Sequence, residues 1–147
     1  MVEPQTRLFD GRRQPFEDLR DFIERFCASA QVTDRSMQRL LLVIEELFAN
    51  TVGHGYPELR GEHAEWPIWL SLSAAGDCVH VVYEDAGTAY DPFATVVEPD
   101  YSAPPESWRI GGWGIPLVTK FTQDLRYERV DGHNRISFAI AGTQDYP

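Results

Sequence analysis

A chain of 147 residues with 43% hydrophobic content is long enough to build one core without disulfides or structural metals. Its formal charge of −10 excludes a nucleic-acid binder that works through a basic face and disfavours docking on an anionic membrane. A nucleotide remains compatible with an acidic chain, because backbone N–H groups or a metal ion can meet its phosphates.

Cys27 and Cys78 lack CxxC spacing and read as buried apolar residues in a reducing compartment. No window approaches the roughly 20 apolar residues that span a bilayer, and no apolar stretch follows a basic N-terminal segment. The expectation is a cytoplasmic, single-domain chain over 1–147, with no signal peptide and no membrane contact. Lys120 is the sole lysine beside twelve arginines, so any chemistry that needs a lysine has one candidate.

In chain order, 6–13 predicts a short strand and turn. Phe16, Leu19, Phe22, Ile23, Phe26 and Cys27 recur at helical spacing, which predicts an amphipathic helix over 16–30. Thr33-Asp34 caps a second helix that ends near Gly53, Gly55 and Pro57. After a polar loop, 66–74 and 77–85 alternate as paired strands joined at Ala75-Gly76. Residues 86–111 are rich in glycine, proline and acidic residues and predict a long loop, of the kind that is functional or mobile. A glycine turn then feeds a short helix over 112–123, and 124–141 is a hairpin around Asp131-Gly132. Consecutive strand pairs predict an α+β two-layer sandwich, with a mostly antiparallel mixed sheet and helices on one face.

Three stations carry candidate chemistry. Glu46 and Asn50, four residues apart, share a helix face and offer a carboxylate for proton transfer beside an amide oxygen for a hard cation. Glu45 is the rival carboxylate, placed nearer the core edge. Asp85 emerges at a strand end, where a carboxylate accepts from an exocyclic amino group, and Gly87 allows close backbone approach. Gly111, Gly112 and Gly114 enter a helix, where free N–H groups attract anions. This is no Walker A loop, since no Gly-Lys-Ser/Thr follows. Each station alone has a bland reading: a solvated helix strip, a polar turn, a close-packed loop.

In this order and spacing the three stations resemble the GHKL ATPase superfamily (Bergerat fold), and more narrowly the anti-sigma-factor serine protein kinases. Glu46, Asn50, His54 and Tyr56 match the N box. Asp85, Gly87, Tyr90 and Asp91 match the first glycine box, in which Ala89 replaces the second glycine. Gly112, Gly114 and Ile115 match the second. The resemblance covers residues 16–141. It implies that Glu46 is the general base, that Asn50 holds Mg²⁺ and that Asp85 reads the adenine amino group of ATP, with Gly87 giving room. It also implies that 86–111 is a lid and that Gly112 and Gly114 meet the phosphates. Ile110 stands where relatives have a phosphate-reaching arginine, which makes the neighbouring Arg109 the substitute candidate. Trp113 is bulkier than usual there, and His133-Asn134 replaces a common Gly-Thr. His54 and Tyr56 are expected to close the helix, and Trp66, Trp69 and Trp108 to serve packing or a partner surface.

The function implied is an ATP- and Mg²⁺-dependent protein-serine/threonine kinase that acts as an anti-sigma switch. It would phosphorylate a STAS-type anti-anti-sigma protein, with a sigma factor as a second partner and room for a homodimer. The alternative is a module that keeps ATP as a structural ligand and works by sequestering its partner.

Overall fold

The computed structural model describes residues 2–59, 65–94, 102 and 114–142. The elements run β1 (Val2–Asp10), α1 (Phe16–Ala30), α2 (Asp34–Asn50), a π-helical turn (Thr51–Gly55), β2 (Pro67–Ala75), β3 (Cys78–Asp85), α3 (Gly114–Phe121), β4 (Gln123–Val130) and β5 (His133–Ala141). No helix among the described residues is long and apolar enough to cross a membrane.

The helices form where the apolar spacing places them. Leu19, Phe22, Ile23, Phe26 and Cys27 are the buried face of α1. Leu40, Leu41, Val43, Ile44 and Leu47 are that of α2, whose N-cap Thr33 accepts a hydrogen bond from the Ser36 amide. Both faces join one core with Ile68, Leu70 and Leu72 of β2, Val79, Val81 and Tyr83 of β3, and Ile136, Phe138 and Ile140 of β5. Burying an aliphatic or aromatic side chain of this kind contributes about 1.5–3 kcal/mol before chain entropy is subtracted. Val118 of α3 completes the layer. Cys27 belongs to this core, but Cys78 is half-exposed at the start of β3 and free, because its position falls on the outward phase of the strand.

The sheet order is β1-β2-β3-β5-β4, and all four pairings are antiparallel. A mostly antiparallel sheet was expected; its mixed component is absent among the described residues, and the connections explain why. Two tight hairpins set β2 against β3 and β4 against β5. β4 runs parallel to β3, but β5 lies between them, so no parallel pair forms. The β4–β5 turn has positive φ at both Asp131 (51°) and Gly132 (79°). That is the twist-matched two-residue turn that Asp-Gly favours.

Candidate functional site

Strict alternation brings the site residues to the core face. Asp85 continues the inward phase of Val79, Val81 and Tyr83, and Asn134 that of Ile136, Phe138 and Ile140. The register pairs Asp85 with Asn134 directly. Both are 6% exposed, so two polar groups sit where each strand would otherwise bury an aliphatic chain. Such groups are costly unless hydrogen-bonded.

Asn134 makes every bond its amide allows. Its Nδ2 donates to Asp85 Oδ1 (2.9 Å) and to the Thr88 carbonyl (2.9 Å). Its Oδ1 accepts from the Tyr90 amide (3.2 Å) and from the Tyr127 hydroxyl (2.6 Å). Two donors and two lone pairs are an amide's full inventory. Asn134 therefore ties β5, β4 and the segment after β3 into one unit and keeps nothing for a ligand.

Asp85 keeps something. Its Oδ1 accepts from Asn134 and from the Gly87 amide at 3.0 Å. Its Oδ2 lies 2.7 Å from Thr51 Oγ1, which lies 3.0 Å from the Leu47 carbonyl and 2.7 Å from Tyr83 Oη. Thr51 has one proton; the shorter contact and the charged acceptor direct it to Asp85, while Tyr83 donates its own to Thr51. A carboxylate offers about four acceptor positions, and the described residues fill three of them, leaving one on Oδ2.

The segment after β3 is clamped to the π-helical turn. That turn widens the end of α2, with the Tyr56 amide bonding back to Thr51 at 3.1 Å. Such turns often sit at functional sites. The Thr88 amide donates to the Gly55 carbonyl at 3.0 Å. A Cβ at Gly87 would lie 2.9 Å from the Gly55 carbonyl carbon, so the space Gly87 leaves is filled by the backbone of Gly55. Tyr56 braces the same place: its buried hydroxyl donates to the Pro67 carbonyl (2.5 Å) and accepts from the Ala86 amide (2.8 Å). Tyr56 thus joins β2 to β3 as well as ending the helix. His54 does not close the helix with its side chain, which lies on the surface 3.6 Å from Glu58.

A small cleft of about 30 Å³, partly open to solvent, lies in front of Asp85. Leu47, Tyr83 and Ile136 form its apolar floor, with Asn50, Thr51, Gly55, Thr88, Tyr90, Pro92 and Asn134 around it. Asn50 reaches the cleft, and Glu46 is one turn back on the same helix, half-buried and not lining it. Neither side chain has a hydrogen-bond partner among the described residues. Burial, helped by the neighbouring Glu45 carboxylate, raises the Glu46 pKa above the ordinary glutamate value. Glu45 was expected nearer the core edge; it is the exposed one of the two, because a step of about 100° around α2 carries it out to solvent.

Gly114 opens α3. Gly112, Arg109, Ile110, Trp113 and most of the expected lid lie outside the described residues. Trp66 stacks on Tyr56 (centroids 5.8 Å apart, planes 5° apart) and Trp69 on His133 (4.8 Å, 17°), both as packing. Among the described residues no group of three or more His, Cys, Asp or Glu could hold a metal. Mg²⁺ at a nucleotide needs no such cage, since it is held by one or two protein oxygens together with phosphates and water.

Thr51 and Thr88 carry no mark of the site in the sequence, and Asn134 stands there only as a departure from a common Gly-Thr. A signal existed for Asn134, which holds a core phase of β5. Thr51 and Thr88 acquire their partners only through the fold.

The model of the histidine kinase-like ATPase domain family matches residues 13–140, and the chain belongs to that family. Its fold is similar to the crystal structure of the RsbU and RsbW domains of Rv1364c from Mycobacterium tuberculosis, with a TM-score of 0.64 at 15% identity. That likeness covers 96% of this chain and 32% of the other, so the chain spans about a third of the length of the protein it matches. Comparison with curated proteins gives no match.

The family implies ATP as ligand, and polar groups in the lining of the cleft suit its base edge and its cation. The cleft offers one acceptor position on a buried carboxylate that the described residues leave unfilled, and the side-chain amide of Asn50 in its lining. These are the donor and acceptor types that a purine amino edge and a hydrated cation require.

Proposed function

We propose that the chain binds ATP·Mg²⁺ in the cleft at Asp85 and is a protein-serine/threonine kinase of the anti-sigma type, acting on a STAS-type anti-anti-sigma protein. The observation that carries this reading is an acceptor position on a buried carboxylate that the described residues leave unfilled, in a chain of the ATPase family. When bound, ATP·Mg²⁺ supplies the phosphoryl group and the cation that screens its charge. Asp85 accepts from the adenine amino group, and Leu47 and Ile136 exclude water from the base. Asn50 turns its amide oxygen to the cation.

Glu46 takes the proton of the incoming hydroxyl. A raised pKa moves a carboxylate toward the range where a general base is effective, which supports that role. Gly112 and Gly114 offer amides to the phosphates, and Arg109 offers its charge, as the resemblance implies. The likeness to a structure named for an RsbW domain fits a regulatory, partner-binding role, and the resemblance of the three stations implies a sigma factor as the second partner.

A second reading, nucleotide-dependent sequestration without phosphoryl transfer, is favoured by one observation: Glu46 stands back from the cleft lining. Labelled ATP incubated with this chain and a STAS protein separates the two. Label on a partner serine or threonine supports the kinase. A stable complex that forms with ATP and leaves the partner unlabelled supports sequestration.

A further inference from the structure

Asp85, Asn134 and Arg129 stand side by side on three strands: the register pairs Asp85 with Asn134 and Asn134 with Arg129. All three grip the segment that leaves β3. Asp85 Oδ1 accepts from the Gly87 amide (3.0 Å), and Asn134 Nδ2 donates to the Thr88 carbonyl (2.9 Å). Arg129 Nη1 donates to the Gly87 carbonyl at 2.9 Å. That carbonyl shares one planar peptide unit with the Thr88 amide, which donates to the Gly55 carbonyl at 3.0 Å. The Gly87–Thr88 peptide is therefore held at both ends, by the guanidinium on one side and the π-helical turn on the other. A glycine imposes the least steric preference of any residue, so this peptide can turn over unless its polar ends are tied. Turned over, its carbonyl would face the Gly55 carbonyl and both bonds would be lost.

We propose that Arg129 is a positioning residue of the nucleotide cleft, fixing the orientation of the Gly87–Thr88 peptide from outside the cleft lining. The proposal rests on the adenine-nucleotide reading above and deepens it. Gly87 supplies one of the bonds to Asp85, and Thr88 lines the cleft beside it. Locking the peptide between them sets both before a ligand arrives, which lowers the ordering cost of binding. A charged donor holds a carbonyl more firmly than a neutral one does. Arg129 is itself exposed, so its bond serves orientation more than the satisfaction of a buried group.

The test is titration of the parent and Arg129→Met with ATP·Mg²⁺ at low and high salt, beside melts and amide exchange of each free protein. Methionine keeps much of the stem and removes the donors. ATP affinity should fall about 3- to 10-fold in Arg129→Met, the worth of one hydrogen bond. The ratio of the two affinities should persist at about 1 M salt, where the screening length is about 3 Å. Free Arg129→Met should melt close to the parent, since water can replace an exposed guanidinium, while the Thr88 amide exchanges faster. Undiminished ATP binding or unchanged Thr88 exchange overturns the proposal. A ratio that collapses to unity in salt also overturns it, since the arginine would then act on the phosphates by charge alone. So does a loss of fold stability as large as the loss of binding, which would make the bond merely structural. A parent that binds no ATP overturns the underlying functional reading instead, and Thr88 exchange still tests the hold of Arg129 on the peptide.

Discussion

A Cβ built on Gly87 would lie 2.9 Å from the carbonyl carbon of Gly55 and 3.0 Å from its Cα. The segment leaving β3 and the π-helical turn after α2 therefore meet backbone to backbone. Two of the three expected stations are locked together by a residue without a side chain. Gly87→Ala should cost about 1–3 kcal/mol, as overpacking does, and should also disturb the Thr88–Gly55 bond. For a domain of this size the melting temperature should drop by roughly 2–4 °C per kcal/mol. A variant that melts with the parent would show that the contact relaxes freely.

Asn134 holds four bonds from four separate places, so its loss strands several buried groups at once. Asn134→Ala should destabilise by on the order of 3 kcal/mol, in the range of broken buried networks. Asn134→Asp keeps the shape but sets a second carboxylate against Asp85. Two such groups cannot both ionise cheaply, so the pair binds a proton more tightly when folded. The stability of Asn134→Asp should therefore be highest at low pH and fall as pH rises. Urea melts of both variants across pH check this; a pH-independent Asn134→Asp would contradict the direct pairing.

Glu46 and Glu84 give opposite signs of pH dependence. The Glu46 pKa is raised by burial and by Glu45. Its contribution is thus fully present below the unfolded glutamate value near 4.5 and is lost as pH rises through the higher folded value. Glu46→Gln should match the parent in acid and become the more stable protein at neutral pH. Glu45→Gln, at an exposed position, is the control. A Glu46→Gln melt that tracks the parent at every pH would remove the basis for a perturbed carboxylate there.

Burial pushes Glu84 up, but hydrogen bonds from Arg135 (2.6 Å) and His133 (3.1 Å), with their charges, hold its pKa below the usual value. Its stabilisation exists above the unfolded value near 4.5 and disappears as pH falls through the lower folded one. Glu84→Gln should be less stable than the parent at pH 7 and converge on it in acid. A penalty that stays constant with pH would mean the contacts matter only as packing.

Both long helices and both hairpins were legible because each is written in local terms. These are apolar residues at i, i+3 and i+4, a threonine cap, and Asp-Gly at a two-residue turn. Asp85 was legible as a strand-end carboxylate ahead of a glycine. The role of Asn134 was not, because its partners Asp85, Thr88 and Tyr90 lie 44 to 49 residues away. The π-helical turn was missed for the same reason, since its geometry is held by the contact of Gly55 with Gly87 across the fold. Gly87 was recognised as a place of close approach, but what approaches it among the described residues is Gly55. The relative placement of Glu45 and Glu46 was misjudged because adjacent residues on a helix differ only in angle, which two neighbouring apolar stripes leave ambiguous.

The proposed function turns on Asp85 as the anchor of an adenine nucleotide. Isothermal titration of the parent, Asp85→Asn and Asn50→Ala with ATP with and without Mg²⁺ tests it most directly. The parent should bind ATP·Mg²⁺, and Asp85→Asn should lose about 1.5–3 kcal/mol, the worth of a hydrogen bond to a charged group. Asn50→Ala should lose the dependence on Mg²⁺. An Asp85→Asn variant that binds ATP as tightly as the parent, or a parent that gives neither heat nor a shifted melt in millimolar ATP·Mg²⁺, would contradict it.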